Sequence, residues 1–150
     1  MRLDLPLGLA LLSLLLPLNL HADLVISEVQ AANRRTLADR DGDSSDWVEI
    51  YNSGPSSANL DGFYLTDDAS DLMKWKFPAV SLESGGFLIV FTSGKDRDPV
   101  GGELHTGFSL AAAGEYIGLV EPDGLTIVDD YAPQFSAMGE DESYGVPFSG

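Results

Sequence analysis

Apolar and polar residues alternate along this chain in short runs, and that alternation predicts β-strands. The clearest run is 47–52, where Val48 and Ile50 point to one side of an extended strand and Trp47 and Tyr51 point to the other. Because both faces carry large apolar groups of the kind that strands favour, we expect this strand to lie inside a sheet. An Asn-Ser-Gly-Pro sequence then ends it, since glycine suits a turn and proline cannot donate to a sheet.

Further runs of the same kind predict the other strands. The run 74–77 alternates sharply, which predicts that Trp75 and Phe77 enter the core while Lys74 and Lys76 keep their charges in water. The run 87–92 is almost continuously apolar, as expected of a central strand that is covered on both faces. The principal runs are 24–29, 47–52, 63–66, 74–77, 87–92 and 115–120.

A hairpin is the firmest local prediction. Residues 115–121 and 125–131 are two strand-like runs, and Pro122-Asp123-Gly124 separates them. Proline at the second position of a turn, followed by Asp-Gly, is typical of a tight antiparallel connection. We therefore expect the two runs to pair, with Gly124 at the position that needs a positive φ.

Glu49 lies between Trp47 and Tyr51 on one face of the predicted strand at 47–52. A carboxylate that two aromatic rings desolvate is unfavourable unless it is paired or hydrogen-bonded. The pattern favours a basic partner for Glu49, with Lys74 or Lys76 as the candidates. The alternative is that Glu49 stays exposed on a face of the sheet that is partly accessible to solvent.

An acidic loop precedes the predicted strand at 47–52 and is the candidate metal site. Asp39, Asp41 and Asp43 stand at alternate positions, Gly42 lies between the last two, and Asp46 follows. Alternate carboxylates in a short curled loop turn their oxygens towards one point, which suits a hard cation such as calcium. We expect Asp39, Asp41 and Asp43 to be the first ligands and Asp46 the fourth, with an affinity of about 10⁻⁴ to 10⁻³ M.

The spacing of this loop is similar to the calcium loops of EF-hands and thrombospondin type 3 repeats, but it departs from both. Where an EF-hand has its glycine this chain has Ser44, and where an EF-hand has its last glutamate this chain has Ile50. Water or backbone carbonyls would have to complete the coordination. The competing interpretation is a solvated loop whose aspartates cap turns.

The first 22 residues have the features of a secretory signal peptide. Arg2 supplies a positive charge, residues 5–20 are almost wholly apolar, and Ala22 offers a small residue for cleavage. A membrane anchor is the weaker alternative, because the apolar run is short and contains Pro6 and Pro17, and a spanning helix needs about 20 apolar residues. We therefore expect no membrane span after cleavage.

Composition narrows the classes of function. The chain carries a net charge of −16, and such a surface repels phosphate backbones, which argues against nucleic-acid binding. It has no cysteine, so thiol nucleophiles and cysteine-based zinc sites are excluded. His105 is the one histidine left after cleavage at Ala22.

The order and spacing of these segments resemble the lamin-tail domain in the form found in secreted bacterial proteins. The resemblance covers about residues 24–146 and implies an all-β fold, an immunoglobulin-like antiparallel β-sandwich, with no catalytic residues. It implies one domain over residues 23–146, with 147–150 as the start of a linker or of a truncated continuation. The segments that carry the resemblance are 26–29, 46–55, 59–65, 74–78, 82–91 and 115–120.

The expected function is therefore a secreted, non-catalytic binding or attachment module at the cell envelope, forming the N-terminal part of a larger extracellular protein. Its partner would be an extracellular or cell-surface protein, a polysaccharide, or a neighbouring domain of the same chain. The alternative is a carboxylate-dependent hydrolase using Asp46 with Glu49 or Asp129 with Asp130, or an enzyme whose catalytic domain lies beyond residue 150.

Overall fold

The computed structural model describes residues 24–99 and 102–146. The predicted signal peptide, 1–22, and the predicted linker, 147–150, lie outside the described residues. In the described part the chain forms strands joined by turns and loops. The strands are β1 Leu24–Gln30, β2 Trp47–Asn52, β3 Ala58–Asn59, β4 Tyr64–Thr66, β5 Trp75–Lys76, β6 Ser81–Leu82, β7 Phe87–Phe91, β8 Leu104–His105, β9 Ile117–Val120, β10 Ile127–Tyr131 and β11 Tyr144–Gly145.

Two main sheets pack face to face. One has the strand order β11-β1-β2-β7-β8, the other has the order β10-β9-β4-β5, and β3 pairs with β6 in a small third sheet. The pairs are antiparallel except β7 with β8, which run parallel. The prediction of an all-β, immunoglobulin-like β-sandwich is confirmed, with this one parallel pair as a departure.

The core lies between the inner faces of the two sheets. Val48 and Ile50 of β2 are fully buried, as their alternation predicted, and they belong to the same apolar cluster as Leu65 of β4 and Ile117 and Leu119 of β9. Each such side chain stabilises the fold by about 1.5–3 kcal/mol through removal of apolar surface from water. Since the chain has no cysteine, this core has to supply most of its stability.

The prediction for residues 74–77 is confirmed. Trp75 and Phe77 are buried in the core with their ring centroids 4.9 Å apart, while Lys74 and Lys76 are exposed. The prediction of a doubly covered strand at β7 is wrong at its start. Phe87 is 52 % exposed and stacks on Tyr51, because no second layer covers this end of the outer face.

The predicted hairpin is confirmed, with narrower bounds. β9 and β10 pair antiparallel, with a register shift between Ile127 and Asp129. The backbone N–H of Gly124 donates to the carbonyl of Glu121 over 3.0 Å, and Gly124 has a φ of 67°. Asp123 supports the turn, since its Oδ1 accepts hydrogen bonds from the backbone N–H groups of Leu125 and Thr126, both at 2.9 Å.

Replacing Gly124 with alanine is expected to destabilise the domain by about 1–2 kcal/mol, because a left-handed backbone is unfavourable for a residue with a Cβ. A Cβ at Gly124 would also lie 2.6 Å from the sulfur of Met73, which would have to move. Urea unfolding of the variant measures the loss. Gly107→Ala is the control, since the φ of Gly107 lies outside the left-handed region and a Cβ there would lie 3.4 Å from its nearest neighbour, an ordinary contact, so stability should not fall. Equal losses in both variants would contradict this account of the turn.

The chain beyond residue 131 completes the fold although it has no long apolar run. Phe135 is 1 % exposed and packs in the main core, and its backbone N–H donates to the carbonyl of Glu115 over 2.9 Å. Further on, β11 pairs with β1 at the edge of the larger sheet. The described chain contains no helix that is long and apolar enough to cross a membrane.

Candidate functional site

The acidic loop forms an ion cluster at one end of the larger sheet. The carboxylates of Asp39, Asp41 and Asp43 converge on the Nζ of Lys95, at 2.5, 2.7 and 2.9 Å. Arg97 forms a second ion pair with Asp41. The predicted convergence of alternate carboxylates therefore exists in the folded chain, and the cation at its centre is the ammonium group of Lys95.

Asp39 organises the loop and is itself buried. Its Oδ1 accepts hydrogen bonds from the backbone N–H groups of Asp41 and Asp43, both at 3.0 Å. The backbone N–H of Gly42 donates to the carbonyl of Asp39, and Gly42 has a φ of 85°. The side chain of Asp39 therefore holds the loop in its curled shape. Both the metal-site interpretation and the turn-capping interpretation predicted a curled loop of this kind.

Asp46, the predicted fourth ligand, lies apart from this group. Its Oδ1 accepts a hydrogen bond from the backbone N–H of Asn33 over 2.9 Å, and burial raises its pKa. Among the described residues, the acidic side chains close enough to share one ion are Asp39, Asp41 and Asp43. The structure therefore brings together three of the four predicted ligands. Calcium binding itself stays a prediction.

Charge pairing shifts the pKa values within the cluster. The hydrogen bonds from Arg97 and then Lys95 lower the pKa of Asp41 to about 2. Burial raises the pKa of Asp39, but its hydrogen bonds with Lys95 and the loop backbone outweigh burial, so its net pKa lies below the usual value. Hydrogen bonds to the three carboxylates raise the pKa of Lys95. Asp39, Asp41 and Lys95 are therefore charged at neutral pH.

Acid is expected to weaken this loop in a defined range of pH. Because the folded-state pKa of Asp41 is depressed from 3.8 to about 2, its contribution to stability is present above about pH 4 and is lost as the pH falls through about 2. Asp41→Asn keeps the shape of the side chain but does not titrate there. The difference in unfolding midpoint between wild type and Asp41→Asn should shrink between about pH 4 and 2. A constant difference across that range would contradict the ion-pair geometry.

The sequence analysis did not identify Lys95 and Arg97 as site residues. The two cations stand at alternate positions in a chain with few basic residues, and that spacing was the available signal. Nothing local links them to Asp39 and Asp41, which lie more than 50 residues earlier. The contact depends on β7 and β2 being neighbours in the sheet.

A polar cleft lies next to the ion cluster, where β1 and β7 end and β2 begins. Its volume is about 360 Å³. Thr92 lies at this cleft with 1 % of its surface exposed, and its hydroxyl has no hydrogen-bond partner. Small apolar side chains from three alanines also line the cleft. The polar residues around it are Asn33, Arg34, Ser44, Ser45, Asp46, Thr92, Ser93 and Ser109.

Ser93, His105 and Glu103 superficially resemble a catalytic triad. The Oγ of Ser93 lies 3.0 Å from the Nδ1 of His105, and burial lowers the pKa of His105. However, the Nε2 of His105 is 3.8 Å from Glu103, which is too far for a hydrogen bond, and Glu103 accepts from the backbone of Arg40 instead. The imidazole is therefore not oriented as a triad requires.

Three of the four carboxylates proposed for hydrolysis are engaged in hydrogen bonds within the fold. Glu49 accepts a hydrogen bond from the hydroxyl of Ser27 at 2.7 Å, and Asp129 accepts one from the backbone N–H of Ile26 at 2.7 Å. Asp129 thereby links β10 to β1 across the two sheets. Asp46 is held by a backbone N–H in the same way.

The predicted ion pair between Glu49 and Lys74 or Lys76 is wrong. Lys74 pairs with Asp67 at 2.5 Å, and Glu49 is satisfied by Ser27. The reason is topological, since Lys76 is in β5 of the smaller sheet and Glu49 is in β2 of the larger one. A hydroxyl on the neighbouring strand could be recognised only once the pairing of β1 with β2 was known.

Comparison with known proteins agrees with this architecture. The family model Lamin Tail Domain matches residues 19–134, well over half of the chain. No curated protein and no solved structure matches the chain. The family match covers most of the strands of the sandwich, the ion cluster and the polar cleft. This chain therefore belongs to the lamin tail domain family.

Proposed function

We propose that this chain is a secreted, non-catalytic binding or attachment module of the cell envelope, the N-terminal part of a larger extracellular protein. Its family is one of immunoglobulin-like modules without catalytic activity. The signal-like composition of residues 1–22 supports export. Function is assigned here by the chemistry of the site as well as by the family, because one fold serves many roles.

One observation carries the proposal. Three of the four carboxylates proposed for acid and base chemistry are held by hydrogen bonds to the fold, and a polar cleft lies beside the ion cluster. A catalytic carboxylate has to be free to exchange a proton with a substrate. An open polar cleft suits a bound ligand and requires no catalytic chemistry.

The net charge of −16 limits the classes of partner that this chain can bind. It disfavours nucleic acid, because binding to a phosphate backbone depends on cations that release its counterions. Lys95 and Arg97, which could serve that purpose, are neutralised by the acidic loop. The partners that fit are a polysaccharide, a cell-surface protein, or a neighbouring domain of the same chain.

Two measurements test the proposal. Mass spectrometry of the exported protein should show a chain that begins at Asp23, as expected of cleavage after Ala22. Capture experiments with the isolated envelope of the producing cell should then retain the exported chain, and a variant unfolded by a core substitution should not be retained. Export without cleavage, or no retention of the folded chain, would contradict it. Turnover of generic ester, peptide or glycan substrates would favour the hydrolase alternative.

We retain calcium binding by Asp39, Asp41 and Asp43 as a proposal. Three carboxylates that already converge on one cation suit calcium in chemical type, and Lys95 is the group that calcium must displace. Asp46 would act only through rearrangement, since its Oδ1 is bound to Asn33.

Competition between calcium and Lys95 has a measurable consequence. Lys95→Met removes the internal cation and leaves three repelling carboxylates, so millimolar calcium should raise the melting temperature more in Lys95→Met than in wild type. The control is Lys95→Met combined with Asp41→Asn and Asp43→Asn, in which the calcium effect should disappear. If calcium and chelator give the same melting temperature in Lys95→Met, the loop does not bind calcium.

A further inference from the structure

We propose that the outer face of the larger sheet binds an arginine side chain of another extracellular protein. Its guanidinium group lies between the carboxylates of Glu28 and Glu49, and its stem runs along the stacked rings of Tyr51 and Phe87. We refer to these four residues as the outer patch. This inference rests on the proposed binding function and specifies the partner.

Two glutamates face each other on this side of the sheet. Glu28 of β1 is directly opposite Glu49 of β2 in the antiparallel register, and both side chains are half-buried. They point outwards, because their neighbours Val29, Val48 and Ile50 fill the core. Like charges directly opposite each other destabilise a sheet. A cation from outside the sheet would remove this repulsion.

The chain itself provides no cation to this pair in the part that the structure describes. Neither glutamate forms an ion pair there. Glu49 accepts from a neutral group, the hydroxyl of Ser27, through its Oε1 at 2.7 Å. On the other side of Glu28 the opposing residue is Gly145, which has no side chain that could cover the carboxylate. The pair is therefore accessible to a ligand.

The arginines of this chain are already engaged, so the ligand has to come from a different protein. All four arginines among the described residues form ion pairs with acidic side chains outside the outer patch, namely Arg34 with Glu140, Arg35 with Asp141, Arg40 with Glu103 and Arg97 with Asp41. A second copy of the chain would bring the same arrangement, and its outer patch would repel this one. Charge complementarity therefore favours an arginine of another protein.

The aromatic pair selects arginine over lysine. Tyr51 follows Glu49 on the same face of β2, about 7 Å along the strand, and its ring stacks on that of Phe87 with the centroids 4.5 Å apart. Phe87 is exposed. A planar guanidinium group stacks on aromatic rings and binds carboxylates through paired N–H groups, whereas an ammonium group is a compact point charge. Arginine is the side chain that uses both halves of the outer patch.

Other ligand classes fit this patch less well. A nucleic acid or an anionic membrane would meet the two glutamates with charge of the same sign. A neutral sugar could stack on the rings, but it would leave the repulsion between the carboxylates in place. The combination of two carboxylates and two rings therefore favours a cationic, planar group.

Titrations of the full chain with short peptides, followed by amide NMR, test the proposal. The probes are triarginine, trilysine and triglutamine, each acetylated and amidated. Triarginine should shift the backbone signals of Glu28, Glu49 and Phe87 in a saturable way, and it should bind at least about threefold more tightly than trilysine. Triglutamine should not shift these signals.

Variants assign the effect to the outer patch. Glu28→Gln combined with Glu49→Gln should weaken triarginine binding about tenfold or more, because both carboxylates are lost while side-chain size is kept. Its melting temperature should not fall, since an amide oxygen at position 49 still accepts from Ser27 and the like-charge pair is gone. Phe87→Ala should weaken binding about threefold.

The matched control is Asp61→Asn combined with Asp98→Asn. It removes the same formal charge from two exposed positions that lie outside the strands of the larger sheet. The affinity for triarginine should change by less than about twofold, because charges far from the bound peptide are screened by salt.

Several outcomes would overturn the proposal. Equal losses of affinity in the double glutamate variant and in this control would mean that triarginine binds through net charge alone. Shifts confined to Asp41 and Asp43 would place the peptide at the ion cluster, and equal affinity for trilysine would remove the role of the rings.

Retention by the cell envelope separates this proposal from the proposed function. The double glutamate variant should be retained less than wild type, and protease treatment of the envelope should abolish retention of wild type. Equal retention of both chains, or retention that survives protease, would remove the arginine-bearing protein partner and leave the binding function standing. The proposed function itself fails only if wild type is not retained.

Discussion

Replacing Phe135 with alanine is expected to destabilise the domain by about 3–5 kcal/mol, the loss typical of a buried phenylalanine. Phe135 is 1 % exposed and packs in the main core, although the sequence around it is polar. Such a loss is comparable to the whole stability of a small domain, which is about 5–15 kcal/mol. Urea unfolding followed by tryptophan fluorescence measures it.

Phe87→Ala is the matched control for Phe135→Ala. It removes the same side chain from a position that is 52 % exposed on the outer face of the larger sheet. We expect a loss of less than about 1.5 kcal/mol, from reduced contact with Tyr51. A larger loss at Phe87 than at Phe135 would contradict the described packing. Ending the chain at residue 134 should destabilise the domain more than Phe135→Ala, because it also removes β11 and its pairing with β1, although the family match ends there.

Asp39→Ala is expected to destabilise the domain by about 2–4 kcal/mol. The substitution removes the acceptor of two backbone hydrogen bonds and one of the three carboxylates around Lys95. The side chain of Asp39 is fully covered in the folded chain, so the backbone N–H groups that it accepts from would lose their partner on substitution. Thermal or urea unfolding at neutral pH measures the loss.

Asp43→Ala is the control within the same cluster. Its side chain is 65 % exposed and pairs with the same Lys95, so the loss should be within about 1 kcal/mol. Asp39→Asn should fall between the two, because the amide oxygen still accepts from the backbone while the charge is lost. Equal effects of Asp39→Ala and Asp43→Ala would mean that Asp39 does not organise the loop.

Local sequence was sufficient to predict the principal strands and the hairpin, because alternation and turn residues involve positions only a few residues apart. The alternation at 47–52 and 74–77 assigned the buried faces, and Pro122-Asp123-Gly124 assigned a turn whose geometry depends on adjacent residues. The strand at 87–91 was recognised as well, but its first residue is exposed. Periodicity reports which side of a strand is apolar, and it does not report whether a second layer covers that side.

The candidate site was predicted only in part, for a physical reason. The curled carboxylate loop follows from the spacing of Asp39, Asp41 and Asp43, because an aspartate binds backbone N–H groups two to four residues away. The partner of that loop, Lys95, lies 56 residues from Asp39. No local rule connects the two positions.

The sequence by itself determined the all-β class, the strand faces, the hairpin, the family and the acidic loop, since each depends on residue types at short spacing. Tertiary structure alone decided that Lys95 occupies the centre of the loop and that Glu49 binds Ser27 and not a lysine. It also decided that Phe135 joins the core and that Thr92 lies unpartnered at a cleft. These features depend on which strands become neighbours, and sheet order is set by the packing of the whole chain.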